Sequence, residues 1–168
     1  MAVLPVVLAG CRTEYRGYES GIDGVLWRQI ASFEDPLSRS LYQPAVDDNE
    51  PSAYLDAIEG LRWDRSETSA TDLDFREGGV VIYGTSSTDT TAELSVFIAS
   101  GPRPDVATDE GVQYTGPSTV FTCYGIKADF QPMARPSVDR IIFDECPSAL
   151  VELLSEDAAF ASGEVFDG

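Results

Sequence analysis

Residues 120–130, VFTCYGIKADF, alternate with period two, which sets Val120, Thr122, Tyr124, Ile126, Ala128 and Phe130 on one face and Cys123 on the other. That pattern commits the segment to a strand. A second strand, residues 139–143 (DRIIF), follows the turn-rich QPMARPS, so the chain folds back about residues 133–135. This register brings Cys123 opposite about residue 145 and leaves Cys146 within bridging range. The sequence thus predicts a disulfide between Cys123 and Cys146, whose loop closure contributes about 3 kcal/mol in the chain-entropy picture. Two thiols with neither CxxC spacing nor a histidine make a poor zinc site, so the pair reads as structural.

The third cysteine closes a different pattern. The chain opens MAVLPVVLAGC, and Leu8-Ala9-Gly10-Cys11 resembles the lipobox of bacterial lipoproteins: a branched apolar residue, two small ones, then the cysteine. Val3 to Leu8 resemble the apolar core of a signal peptide; a buried strand is the alternative for this stretch, against which Pro5 argues. The resemblance covers eleven residues. It implies that Cys11 carries a diacylglyceryl group, that residues 1–10 are removed, and that residues 11–21 form a short tether. It also implies an extracytoplasmic protein held to the cell membrane by lipid. Two acyl chains, at roughly 0.8 kcal/mol per buried methylene, anchor stably. A disulfide suits that compartment.

Between the tether and the strand pair, Ile22, Val25, Leu26, Ile30 and Phe33 recur at helical spacing and predict a helix over 22–34 that stops before Pro36. A second helix is expected after Asp47-Asp48-Asn49, with Ala53, Tyr54, Ala57, Ile58 and Leu61 along one face. Asp47, Asp48 and Glu50 suit its capping and dipole. From residue 77 the period changes: 79–83 and 94–98 read as strands around SSTDTT, a hairpin-like connection. Residues 101–118, GPRPDVATDEGVQYTGPS, form a long loop and the expected place for binding. Pro147 opens a last helix carrying Leu150, Val151, Leu154 and Ala158. The expectation is one α+β domain over 22–168, with two N-terminal helices, an antiparallel sheet of about four strands and a C-terminal helix.

Charge and composition then narrow the chemistry. Against 11 basic residues stand 29 acidic ones, a formal net charge of -18. Such a field disfavours nucleic acid and anionic headgroups as ligands and draws cationic proteins. Histidine is absent, which removes Ser-His-Asp and Cys-His nucleophiles and imidazole metal sites together. Catalysis would have to rest on carboxylates, on tyrosine or on Lys127, and alternation places Lys127 beside Asp129 as an exposed ion pair. Asp72-Leu73-Asp74-Phe75-Arg76 begins like a calcium loop but puts arginine at the fifth position. Phosphate loop, dinucleotide fingerprint and GxSxG are all lacking. No catalytic residue, metal ligand or cofactor is therefore assigned. Trp27 and Trp63 fall within or just after helix-like patterns and are expected in a core or interface. The leading expectation is a non-enzymatic, membrane-anchored accessory or interaction protein of the envelope. Behind it stand an acidic inhibitor or immunity-type protein against a cationic enzyme, and a hydrolase built on two facing carboxylates.

Overall fold

The computed structural model describes residues 14–15, 22–42, 50–63, 72–103, 116–132 and 136–162. In chain order they form β1 (Glu14–Tyr15), α1 (Ile22–Tyr42), α2 (Pro51–Ala57), β2 (Leu61–Arg62), β3 (Gly79–Ser87), β4 (Thr91–Ala99), β5 (Val120–Asp129), β6 (Ser137–Ile142), α3 (Ser148–Val151) and β7 (Ala159–Ala161). The strands make one sheet in the order β1-β7-β5-β4-β3-β2, with β6 paired to β5 off that path. Neighbours from β3 to β6 run antiparallel, whereas β2 with β3, β7 with β5, and β1 with β7 run parallel.

This architecture corrects the expected one. The sheet is mixed rather than antiparallel, it outweighs the helices, and α1 is the one long helix among the described residues. The extra strands have two or three residues each, too few to show a period, and distant parts of the chain pair with them. β1 lies within residues 11–21, the segment read as a tether.

The C-terminal helix is the clearest miss. After the single turn of α3 the chain tightens, with Leu153 N–H donating to the Leu150 carbonyl and Leu154 N–H to that of Val151. It then extends into β7. Leu150, Val151, Leu154 and Ala158 do stand at helical spacing, but Ala158-Ala159-Phe160-Ala161 alternates instead. Ala159 and Ala161 join the core beneath α1, and Ala158 and Phe160 the core on the opposite face. β7 completes the part of the β5 edge that β6 leaves open, pairing Val120 with Ala159 and Phe121 with Phe160.

α1 continues past Pro36 because its apolar stripe does: Ile22, Leu26, Ile30, Phe33 and Leu37 are all buried. An interior proline costs about 3 kcal/mol, and burying Leu37 returns roughly 1.5–3 kcal/mol of it. α2 is shorter than its pattern. Pro51, Leu55 and Ile58 are buried and Tyr54 packs beside them, while Ala57 is exposed and Leu61 has passed into β2 at 52% exposure. Glu50 occupies the N-cap position without a side-chain cap; Asp47 and Asp48 lie outside the described residues.

Both faces of the sheet are covered. α1 and α2 lie over Ile82, Leu94, Val96, Ile98, Tyr124 and Ile126. On the other face Leu73, Phe75 and Leu150 cover Val81, Phe97, Phe121 and Cys123. An aromatic row crosses this second face, with Phe75–Phe97, Phe97–Phe121 and Phe121–Phe160 centroids at 5.3, 5.6 and 5.7 Å. The hairpin expected around SSTDTT is present, closed by Thr88 N–H on the Thr91 carbonyl at 2.9 Å and carrying a register shift between Ile82 and Gly84.

Where β3 begins and β4 ends, two glycines meet. Gly78 (φ +76°) and Gly101 (φ +74°) lie so close that a Cβ on Gly101 would stand 2.5 Å from the Gly78 nitrogen. Gln29 of α1 ties the junction to the helix, accepting from Gly79 N–H at 3.2 Å and donating to the Ser100 carbonyl at 3.4 Å. Left-handed backbone alone costs a residue with a Cβ about 1–2 kcal/mol, and here backbone overlap adds to it. Gly101→Ala is therefore expected to destabilise by more than about 2 kcal/mol, lowering the melting temperature by roughly 4–8 °C. Gly84→Ala, whose Cβ would meet nothing nearer than 3.5 Å, should melt close to the wild type. Calorimetry of the two variants checks the contrast.

Candidate functional site

β6 is held from one side. Its inner edge pairs with β5 from Tyr124↔Ile142 to Asp129↔Ser137, and among the described residues no strand pairs with its outer edge. Alternation puts Val138, Arg140 and Ile142 on the α1 face and Asp139 and Ile141 on the disulfide face. Val138 is 40% and Ile141 38% exposed.

Arg140 folds down onto α1. Its Nε donates to Glu34 Oε1 at 2.8 Å and its Nη2 to Glu34 Oε2, a two-pronged pair between residues 106 apart in sequence. The guanidinium carbon also lies 5.3 Å from the Tyr124 ring centroid. Burial first, and then the adjacent Glu34 carboxylate, hold the Tyr124 hydroxyl protonated far above the ordinary phenol range, with Arg140 partly counteracting. This cluster clamps a helix to a strand and keeps its phenol neutral. Lys127 and Asp129 form the expected ion pair at 3.1 Å, each side chain about one-third exposed.

The Cys123–Cys146 disulfide is present, with an S–S distance of 2.05 Å and Cα atoms 5.7 Å apart. The register that carries it differs by two residues from the expected one. Tyr124 faces Ile142, so Phe143 rather than residue 145 comes next to Cys123, and the slip of two preserves every face. The bond joins the buried middle of β5 to the residue just before Pro147 and α3. Replacing both cysteines with alanine removes a cross-link between positions 23 apart, worth about 3 kcal/mol. The variant should remain folded, since both apolar cores persist, and should melt several degrees lower by circular dichroism.

The long loop expected to bind is described only at its ends; residues 104–115 lie outside the described residues, as does Cys11, the expected lipidation site. Those ends are tied together. Arg103 N–H donates to the Ser118 carbonyl at 2.8 Å. Ser118 donates to Asp157 from its N–H at 2.9 Å and from its hydroxyl at 2.7 Å. These bonds, with one from Ser155, favour the charged carboxylate and hold Asp157 below the usual carboxylate range. The clamp is therefore complete at and above the pH where an unfolded aspartate ionises, and is lost as pH falls through the lower folded value. Following the Ser118 amide shift against pH should give a midpoint below about 3.9, the ordinary aspartate value; Asp157→Asn should abolish the titration.

Two grooves flank α1. One, of about 480 Å³, lies against the start of β3 and is lined by Val25, Arg28, Gln29 and Glu77 among others. The second, of about 340 Å³, lies against α2 and is lined by Phe33, Leu37, Tyr54 and Ile58, with Glu59 alongside. Each has a single carboxylate among its described lining residues. The Tyr54 hydroxyl is pushed up to about 12 by burial.

Asp72–Arg76 turns out to be a core segment. Leu73 and Phe75 are buried in the second core, while Asp74 accepts from Arg76 N–H at 2.9 Å and pairs with its guanidinium at 3.2 Å. Among the described residues no group of three or more Cys, Asp or Glu is gathered as a metal site, and no helix is long and apolar enough to cross a membrane. Trp63 packs against the second core as expected, but Trp27 faces outward on α1 at 46% exposure. The exposed edge of β6 escaped the sequence reading; its signal, β-branched residues on a short strand after a turn, is shared by many buried strands. Comparison of the chain with protein-family models, with curated proteins and with solved structures finds no match.

Proposed function

We propose that the protein is a lipid-anchored, extracytoplasmic binding protein of the cell envelope, acting through protein contacts rather than catalysis. The observation that carries this reading is the disulfide in a chain whose residues 8–11 read LAGC, because thiols pair and persist outside the cytosol. β1 starts at Glu14, which leaves only Arg12 and Thr13 between a lipidated Cys11 and the sheet. Three steps of chain span at most about 10 Å, so the domain would be carried close against the membrane rather than out on a tether. Its charge of -18 turns such a domain away from anionic headgroups and toward cationic proteins.

That same charge favours a second reading, an inhibitor or immunity-type protein directed at a cationic enzyme. Its association would be fast and would weaken steeply as salt rises. Anchoring is tested in cells expressing the precursor: Cys11→Ser should move the protein from the membrane fraction to the soluble extracytoplasmic fraction. Identical fractionation of mutant and wild type would remove the lipid anchor from the proposal.

A further inference from the structure

Among the described strands, β6 presents a free edge along its whole length; β3 is also open beyond the two residues that pair with β2, but that stretch follows the register shift between Ile82 and Gly84. The main path of the sheet ends in β1 and β2, two residues each, whereas β6 offers six. Edges of that length are ordinarily blunted by proline, by a bulge or by a protruding positive charge. β6 contains no proline, and its arginine is withdrawn onto Glu34. The charges left are acidic, Asp139 within the strand and Asp144 and Glu145 just after it. All three are exposed and have no ion-pair partner among the described residues, while the nearby cations Lys127 and Arg140 are engaged by Asp129 and Glu34. A second copy of the chain would bring another -18 to this edge and is repelled.

We propose that the outer edge of β6 receives an extended basic segment of a partner protein as an eighth strand. Main-chain hydrogen bonds would supply affinity, and lysine or arginine side chains would meet Asp139, Asp144 and Glu145. Val138 and Ile141 lie on opposite faces of the sheet, so a strand laid alongside gains an apolar neighbour on each face. The inference deepens the binding role proposed above by naming its partner's chemistry, and it is independent of the lipid anchor.

The test uses the full chain and a seven-residue peptide alternating lysine or arginine with valine (KVRVKVR), with an acidic counterpart, EVEVEVE. Two further versions carry backbone N-methyl groups on one or the other alternate set of amides. Calorimetric titration should show binding of the basic peptide that weakens with salt and no binding of the acidic one. One N-methylated version should lose about tenfold or more in affinity, the loss of one or two net hydrogen bonds. Exchange of alternate amides within residues 137–142 should slow in the complex. Equal binding of both N-methylated versions would reduce the effect to charge attraction and overturn strand addition. So would failure of the basic peptide to bind. Protection of 137–142 that appears without peptide and grows with protein concentration would make the occupant a second copy, which also overturns the proposal. None of these outcomes bears on fractionation of Cys11→Ser.

Discussion

Burial of β5 on both faces is the constraint that the rest of this structure serves. Val120 to Ile126 are buried without interruption, and a strand in that situation must have cover above and below and partners along both edges. β4 supplies one edge over nine residue pairs, and β6 and β7 divide the other end to end. α1 and α2 cover one face, with Ile22, Leu26, Ile30, Phe33, Leu37 and Leu55. The other face is closed by a segment with no regular structure of its own, Leu73 to Phe75, together with Leu150. A polar backbone crossing that second core would be costly unless paired, which is why a short parallel strand, rather than a helix, completes the edge.

The two anchoring devices on this frame are of different kinds. The disulfide acts on the unfolded chain, restricting it, and spans only the C-terminal third. The Arg140–Glu34 clamp acts on the folded state alone and joins the first helix to a strand more than a hundred residues later. Both side chains are about a quarter exposed, so water and salt moderate the attraction. Its value lies as much in what it removes from the β6 edge as in what it joins.

How much of this was legible in the sequence follows from how far each signal reaches. The alternation of Val120 to Phe130 placed every side chain of β5 on its correct face, because eleven residues leave no other period to fit. The cysteine pair followed from that face and from the turn, and survived an error of two in register because strands repeat every two residues. Pro36 misled because a local rule about proline met a longer-range stripe ending at Leu37. Ala158 misled for the opposite reason: four residues spaced for a helix were also the start of an alternation. β1 and β2 could not be read at all, since a two-residue strand exists only through the partner that hydrogen-bonds to it. The candidate binding edge was hidden likewise, because exposure at Val138 depends on no further strand arriving beyond it.

The order of strands also fixes an order in time. β1 precedes every other described strand in the chain, yet its partner is β7, which follows them all. Until residues 159–161 have left the ribosome, Glu14 and Tyr15 have no place in the sheet. The amino-terminal end of the domain is thus the last part to be seated, and the two ends of the fold are sewn together by the same three residues.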